Sequence, residues 1–207
     1  MRWLLAALFA LASLPGVACA REWLFDVTLD GLPIGTHRFT LRDDAGTTHL
    51  TSEATFRVRL LVIDAYSYEH RADETWQGDC LVALDSRTVE QGKTTRVAGR
   101  TDGEAFIIEG PDGRATLARC PMTFAYWNPR ILRQAQLVNP QTGLATPIVV
   151  RNEGTETLKV RGAAVQAVRQ RIETPKTAID VLYGPGDEWL GLRSRTREGH
   201  VLAYHLR

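Results

Sequence analysis

The segment TTHLTSEATFRVRL, residues 47–60, decides the fold class because its side chains alternate between apolar and polar types. One face carries the apolar residues Leu50, Ala54, Phe56, Val58 and Leu60. The other face carries the polar residues His49, Thr51, Glu53, Thr55, Arg57 and Arg59. A helix would mix these sets, whereas a strand with one buried face separates them. We therefore predict an antiparallel strand in which Thr55, Arg57 and Arg59 are more exposed than Phe56, Val58 and Leu60.

The length of this segment predicts curvature. If unbroken, the strand would be about 46 Å long at ~3.3 Å per residue, and strands of that length usually bend or coil. Glycine-containing turn signals recur along the chain, among them Asp30-Gly31, Gln91-Gly92, Glu153-Gly154 and Arg161-Gly162. Many strands between such turns are typical of sandwiches and barrels. The sequence thus predicts a mainly all-β fold, either a curved antiparallel sheet or a partly open β-barrel.

One stretch departs from the alternating pattern. Asn128 is suited to cap a helix and Pro129 to occupy its first position. Residues 130–137 favour a helix, which Asn139-Pro140 would end. We expect one short helix or connector at about residues 129–137, covering one end of the sheet.

Composition excludes several classes of protein. The chain has 207 residues, of which 25 are basic and 24 acidic, and 44% are hydrophobic. A nucleic-acid-binding protein would need a basic surplus, and a disordered chain would be less apolar. No stretch after the first twenty residues approaches the ~20 apolar residues of a membrane helix.

The amino terminus has the pattern of an export signal. Arg2 precedes an apolar run at residues 4–14, and Ala18 and Ala20 form an A-x-A cleavage site. We predict a signal peptide at residues 1–20, a single β-rich domain at residues 21–207 and a periplasmic location. The apolar run is short for a membrane anchor. Lipid attachment at Cys19 is the less favoured alternative, because Gly16 stands where such sites usually carry leucine.

Removal of the signal peptide would leave two cysteines, Cys80 and Cys120. In an oxidising compartment such a pair most simply forms a disulfide, which requires Cα atoms ~4.4–6.8 Å apart. Two buried thiols or a redox pair are the alternatives, and the chain has no C-x-x-C motif to support redox chemistry.

Catalytic, metal and cofactor motifs are absent from the sequence. It has no G-x-S-x-G or phosphate-binding loop, and its five histidines lack H-E-x-x-H spacing. We therefore assign no catalytic residue, metal ligand or cofactor. The charged run at residues 69–74, from Glu69-His70-Arg71 to Asp73-Glu74, would split between two strand faces, and we interpret it as surface ion pairs.

Aromatic residues near the two cysteines are the candidate ligand-binding residues. Aromatic rings with polar groups suit the wall of an apolar site, although packing of the connector onto the sheet is the alternative. The candidates are Trp76, Phe124, Tyr126, Trp127 and Asn128.

The same segments carry a family resemblance. The W-x-G-x-C motif at residues 76–80, CPMTFAYWNP at residues 120–129 and LVNPQTG at residues 137–143 resemble a family of uncharacterised bacterial secreted proteins. The FAYWNP segment is the specific part. That family implies export and a β fold but names no substrate. The C-terminal half is also distantly similar in architecture to envelope half-barrels that hold lipids.

These observations favour a periplasmic binding or carrier protein whose β-sheet cavity holds a lipid or another lipophilic molecule. An envelope structural or assembly factor acting through a protein surface is the alternative, and an exposed aromatic patch around Trp127 without a cavity would favour it. An enzyme is the third hypothesis, which requires ionisable residues in the cavity. The sequence leaves the oligomeric state open.

Overall fold

The structure of the protein is a computed structural model that describes residues 20–60, 63–196 and 198–207. The predicted signal peptide, apart from Ala20, lies outside the described residues. Within them, no helix has the length and apolar character needed to cross a membrane.

Antiparallel β-strands form most of the described chain. Their bounds are β1 Ala20–Leu29, β2 Leu32–Asp44, β3 Thr47–Leu60, β4 Ile63–Gln77, β5 Cys80–Glu90, β6 Lys93–Asp102, β7 Ala105–Gly110, β8 Gly113–Ala118, β9 Gln136–Val138, β10 Ala145–Pro147, β11 Val149–Val160, β12 Ala163–Glu173, β13 Ala178–Tyr183, β14 Trp189–Arg195 and β15 Val201–Leu206. Two short 3-10 helices span Pro129–Arg133 and Pro185–Asp187.

Thirteen of these strands form one sheet in the order β11-β12-β13-β14-β15-β1-β2-β3-β4-β5-β6-β7-β8. The last strand, β15, pairs with the first strand, β1, so the two ends of the domain lie side by side in the sheet. Side chains from β13, β14 and β15 and from β2, β3 and β4, on the two sides of β1, line one cavity, so this face of the sheet is concave. The curved antiparallel sheet predicted from the sequence is confirmed.

The alternation predicted for β3 is confirmed where the side chains are described. Thr55 and Arg57 are exposed, Phe56 is buried and Val58 is half-buried. The comparison of Arg59 with Leu60 lies outside the described side chains. The polar positions therefore face solvent and the apolar ones face the concave side.

A connector, residues 119–148, links β8 to β11 across the concave face. Its 3-10 helix is capped as predicted, because the Asn128 side chain accepts a hydrogen bond from the Arg130 N–H at 3.1 Å. The helix is shorter than residues 129–137: it ends at Arg133, and Leu137 belongs to β9, which pairs with β10. The extended conformation is held by the pairing with β10 and by the Val138 N–H, which donates to the Met122 carbonyl at 2.8 Å.

Two hydrogen bonds hold the connector over the sheet. The Tyr183 hydroxyl of β13 donates to the Tyr126 carbonyl at 2.8 Å, and the Ser86 hydroxyl of β5 donates to the Pro140 carbonyl. Because β13 and β5 lie on opposite sides of β1, the connector spans the concave face.

The disulfide between Cys80 and Cys120 is present and anchors the start of the connector to β5. Their Cα atoms lie 4.2 Å apart, slightly closer than the expected range. The predicted turn at Glu153-Gly154 was wrong: these residues lie inside β11, where the pairing with β12 shifts register between Asn152 and Thr155. A glycine at positive φ here marks a bulge, which bends the strand without ending it.

Candidate ligand-binding cavity

The concave face and the connector enclose a cavity of about 570 Å³. Strands β2, β3 and β4 form its floor, strands β13 to β15 form one wall, and the connector forms the roof. The turn Thr174–Thr177 and Leu144, which is 43% exposed, also line it. A volume of this size falls within the range of sites for small organic molecules.

The cavity exists because the floor carries small side chains. Ser52 of β3, Ala72 of β4 and Ser86 of β5 are neighbours in the sheet and form a small-residue row. Ser52 and Ala72 line the cavity directly, whereas Ser86 holds the roof at Pro140. Side chains this short leave space between the sheet and the connector.

His37 of β2 is a polar group in the floor. Its Nε2 lies 2.7 Å from the Ser52 hydroxyl, and its Nδ1 lies 3.2 Å from the Tyr204 hydroxyl. The ring stacks on Phe39 with the centroids 4.0 Å apart. Burial, together with the nearby His70, lowers the pKa of His37 to about 3. The imidazole is therefore neutral at physiological pH, able to donate one hydrogen bond and accept another.

His70 of β4 faces the same cavity and is buried. Its Nδ1 lies 2.8 Å from the Thr88 hydroxyl of β5. Burial lowers the pKa of His70 to about 4. A second neutral imidazole thus lines the floor.

Glu74 is the acidic residue of the floor, and its side chain is buried. Its Oε2 accepts a hydrogen bond from the Trp76 indole N–H at 2.9 Å. Burial raises the pKa of Glu74 to about 7, while the Trp76 indole and the nearby Thr123 hydroxyl oppose the increase. The Thr123 hydroxyl itself makes no hydrogen bond of normal geometry.

Three of the five predicted ligand-binding residues line the cavity: Phe124, Tyr126 and Trp127. Trp76 is fully buried behind the lining and packs edge-to-face against Trp127, with the centroids 5.6 Å apart. Asn128 caps the 3-10 helix and donates to Asp79 at 3.3 Å, so its polar atoms are engaged outside the cavity. The aromatic candidates therefore divide into three that line the cavity and one, Trp76, that packs behind the lining.

Sequence reasoning missed the polar floor, namely His37, Ser52, His70 and Glu74. The interpretation of residues 69–74 as surface ion pairs was wrong for His70 and Glu74, because only Glu69, Arg71 and Asp73 face solvent. The sequence signal that could have located His70 and Glu74 is the alternation of buried and exposed side chains along the strand. Counting back from Trp76 in steps of two places Glu74, Ala72 and His70 on the buried face.

The arrangement can bury an apolar molecule and offer it a few fixed polar contacts. Aromatic and aliphatic side chains provide much of the wall, and the polar groups include the imidazoles of His37 and His70, the carboxyl of Glu74 and several hydroxyls, among them those of Ser52 and Tyr204. Among the described residues, no three His, Cys, Asp or Glu side chains come together in a metal-binding arrangement.

The fold and cavity define the class of protein as a β-barrel-like domain. Among solved structures, the chain is similar to the crystal structure of a β-barrel-like protein of domain of unknown function DUF1849 from Brucella abortus. The TM-score is 0.64 at 10% sequence identity, covering 92% of this chain and 96% of that chain. At this identity the likeness extends to the fold.

The family follows from the sequence. A family model described as a domain of unknown function, DUF6134, matches residues 25–207, and the chain belongs to this family. No curated protein matches the chain. The family description names no activity, so the function has to be argued from the cavity.

Proposed function

We propose that the protein is an exported binding or carrier protein that holds a lipid or another lipophilic molecule in the cavity between its sheet and its connector. The observation that carries this proposal is the cavity of about 570 Å³ on the concave face. A fully packed interior would have spoken against it.

Apolar burial would supply most of the affinity. Phe39, Leu50, Phe124 and Leu192 line the cavity, and Leu144 offers an apolar surface at its mouth. Transfer of an alkyl chain from water to such a site is favourable by about 0.8 kcal/mol for each buried CH₂ group. His37, Ser52 and Tyr204 would then orient a polar group of the ligand.

Export is part of the same proposal. The predicted signal peptide and the Cys80–Cys120 disulfide both suit an oxidising compartment such as the periplasm. A protein there that shelters a lipophilic molecule would keep it out of water between membranes. The alternative of a protein-binding surface gains less support, because Trp127 is half-buried against the cavity and not part of an exposed patch.

The test is native mass spectrometry of protein purified from its own cell envelope, followed by solvent extraction. We expect a bound lipophilic molecule that is released on denaturation. The variant Ala72→Leu fills the floor and should lose the ligand, whereas the control Ala98→Leu, on the exposed face of β6, should keep it. Protein that carries no ligand and takes up none from added lipids would overturn the proposal.

A second candidate is an esterase, favoured by the 2.7 Å contact between the Ser52 hydroxyl and His37 Nε2. Such a pair can activate a serine nucleophile. It ranks below the carrier because Ser52 lies in the middle of β3, between β2 and β4, where the sheet engages the backbone N–H groups that an oxyanion hole needs. Hydrolysis of a p-nitrophenyl ester that is abolished in Ser52→Ala would favour the enzyme.

A further inference from the structure

Glu74 is a buried acid without a basic partner. Glu74 is 5% exposed. Among the described residues, the one group that donates a hydrogen bond of normal geometry to its carboxylate is the Trp76 indole N–H. No Lys, Arg or His of the described chain forms an ion pair with it. Its chain neighbour Asp73, on the exposed face, accepts two hydrogen bonds from Arg71. Of these two neighbouring acids, the exposed Asp73 is paired with a cation and the buried Glu74 is not.

The residues beside Glu74 in the sheet carry no positive charge. Its cross-strand neighbours are Leu50 and Leu84, each 3% exposed. The other ionisable groups that line the cavity are His70 of the same strand and His37, Tyr126, Tyr204 and Lys176 of other elements. Burial lowers the pKa of both histidines and raises the pKa of both tyrosines, so all four are neutral. Lys176 is exposed in the turn at the mouth.

Aromatic rings complete the environment. Phe39, Phe124, Tyr126 and Trp127 line the same cavity, and Trp76 links the Glu74 carboxylate to Trp127. The faces of aromatic rings carry partial negative charge and attract ammonium groups, with greatest effect in a desolvated site. A carboxylate and several aromatic rings that line one cavity form an arrangement suited to amines and quaternary ammonium ions.

We propose that Glu74 and the aromatic wall bind the positively charged head group of an amphiphile, an amine or a quaternary ammonium, whose alkyl part fills the rest of the cavity. This inference rests on the proposed carrier function and specifies its ligand class. The ligand would supply the positive charge that the protein does not provide.

The test compares three ligands with the same ten-carbon chain: decyltrimethylammonium, decanol and decanoate. Each is titrated below its micelle-forming concentration, and binding is followed by displacement of a fluorescent apolar probe. We expect decyltrimethylammonium to bind at least about tenfold more tightly than decanol, the size of a desolvated cation contact. Decanoate should bind most weakly, because its charge repels the Glu74 carboxylate.

The matched variant is Glu74→Gln, which keeps the shape and a hydrogen-bond acceptor for Trp76 but removes the charge. It should lose about tenfold in affinity for decyltrimethylammonium and bind decanol as the wild type does. Glu69→Gln is the control, because Glu69 lies on the exposed face of the same strand. Since the ligand charge is permanent, wild-type affinity should rise as pH increases from 5 to 8 and the carboxyl ionises.

The outcomes separate the two proposals. Binding of decanol without preference for the cation, or an unchanged preference in Glu74→Gln, overturns the role of Glu74 and leaves the carrier function standing. Preferred binding of decanoate also overturns it and points to Lys176. Failure of all three ligands and of the apolar probe to bind overturns the carrier function itself. The ligand comparison on the wild type requires no variant to fold.

Discussion

Two neighbouring parts of the concave face differ in how they are filled. Around Trp189, large rings pack closely: the centroid of Trp189 lies 4.4 Å from Phe25, 4.8 Å from Phe39 and 5.5 Å from Tyr126. On the three strands that follow β2, the strand of Phe39, the small-residue row of Ser52, Ala72 and Ser86 leaves the cavity open. The same sheet therefore has a packed region and a hollow region side by side.

The difference shows how one curved sheet can combine stability with binding. Trp189 is fully buried, and its indole N–H donates to the Gly191 carbonyl at 3.0 Å, so the packed region satisfies its polar groups within the protein. In the hollow region, Glu74 has no ion-pair partner among the described residues, and His37 and His70 are held neutral by burial. We therefore expect truncation of the first region to cost more stability, and the proposed ligand to occupy the second.

Truncation of the packed region should give the largest effect. Trp189→Ala should lower the free energy of unfolding by about 4 kcal/mol, because it removes a large buried ring and leaves a cavity. Urea denaturation measures the loss. Leu32→Ala is the control: Leu32 is 71% exposed, and its loss should change stability by less than about 0.5 kcal/mol. A loss below about 1 kcal/mol for Trp189→Ala would show that this region is not tightly packed.

In the hollow region, Glu74 should make the free energy of unfolding depend on pH. Burial raises the pKa of Glu74 from 4.5 to about 7, so between these pH values the folded state binds more protons than the unfolded chain. The free energy of unfolding contributed by Glu74 therefore falls as pH rises through this window. Glu74→Gln should be more stable than the wild type by about 3 kcal/mol above pH 7, and the difference should vanish toward pH 4.5.

His37 and His70 have the opposite effect on the pH dependence of stability. Their contribution cancels when the wild type is compared with Glu74→Gln. Their pKa values are lowered, so they reduce stability as pH falls below 6.5, equally in both proteins. Denaturation curves at several pH values test the difference. A pH-independent difference between the wild type and Glu74→Gln would mean that Glu74 is solvated.

Filling the two regions should also have different results. Ala72→Leu extends into the cavity and should change stability by less than about 1 kcal/mol, since space is available. Ala167→Leu, at a buried position of β12 away from the cavity lining, should cost about 1–3 kcal/mol through overpacking. Thermal denaturation of both variants checks this. Equal costs at the two positions would contradict the distinction between hollow and packed regions.

The smallest effect is expected on the convex face. Arg71 pairs with Asp73 and Glu53, and all three side chains are about half exposed. Arg71→Gln should therefore cost less than about 1 kcal/mol, and less still at high salt. Urea denaturation at low and high salt measures this cost. A larger, salt-independent loss would mean that the outer ion pairs stabilise the fold as strongly as the core.

The fold was more predictable than the cavity because alternation is a local property. The pattern at residues 47–60 and the glycine turns are sufficient for a curved antiparallel sheet, and two cysteines are sufficient for a disulfide. The cavity depends on which rows of different strands align, such as Ser52 with Ala72 and Ser86, and register is not visible in one strand. For that reason the position of Phe124, Tyr126 and Trp127 close to Cys120 is enough to propose them for a common site, whereas nothing in the local sequence singles out His37 and Glu74.

The central claim is that the concave face binds a lipophilic ligand, and the most direct test is NMR titration of the labelled protein with decanol. We predict saturable shift changes confined to cavity-lining residues such as Ser52, Ala72 and Tyr204, and their loss in Ala72→Leu. The signals of exposed residues such as Glu53 and Asp73 should not move. Changes spread over the convex face, or no saturable change at any position, would contradict the claim.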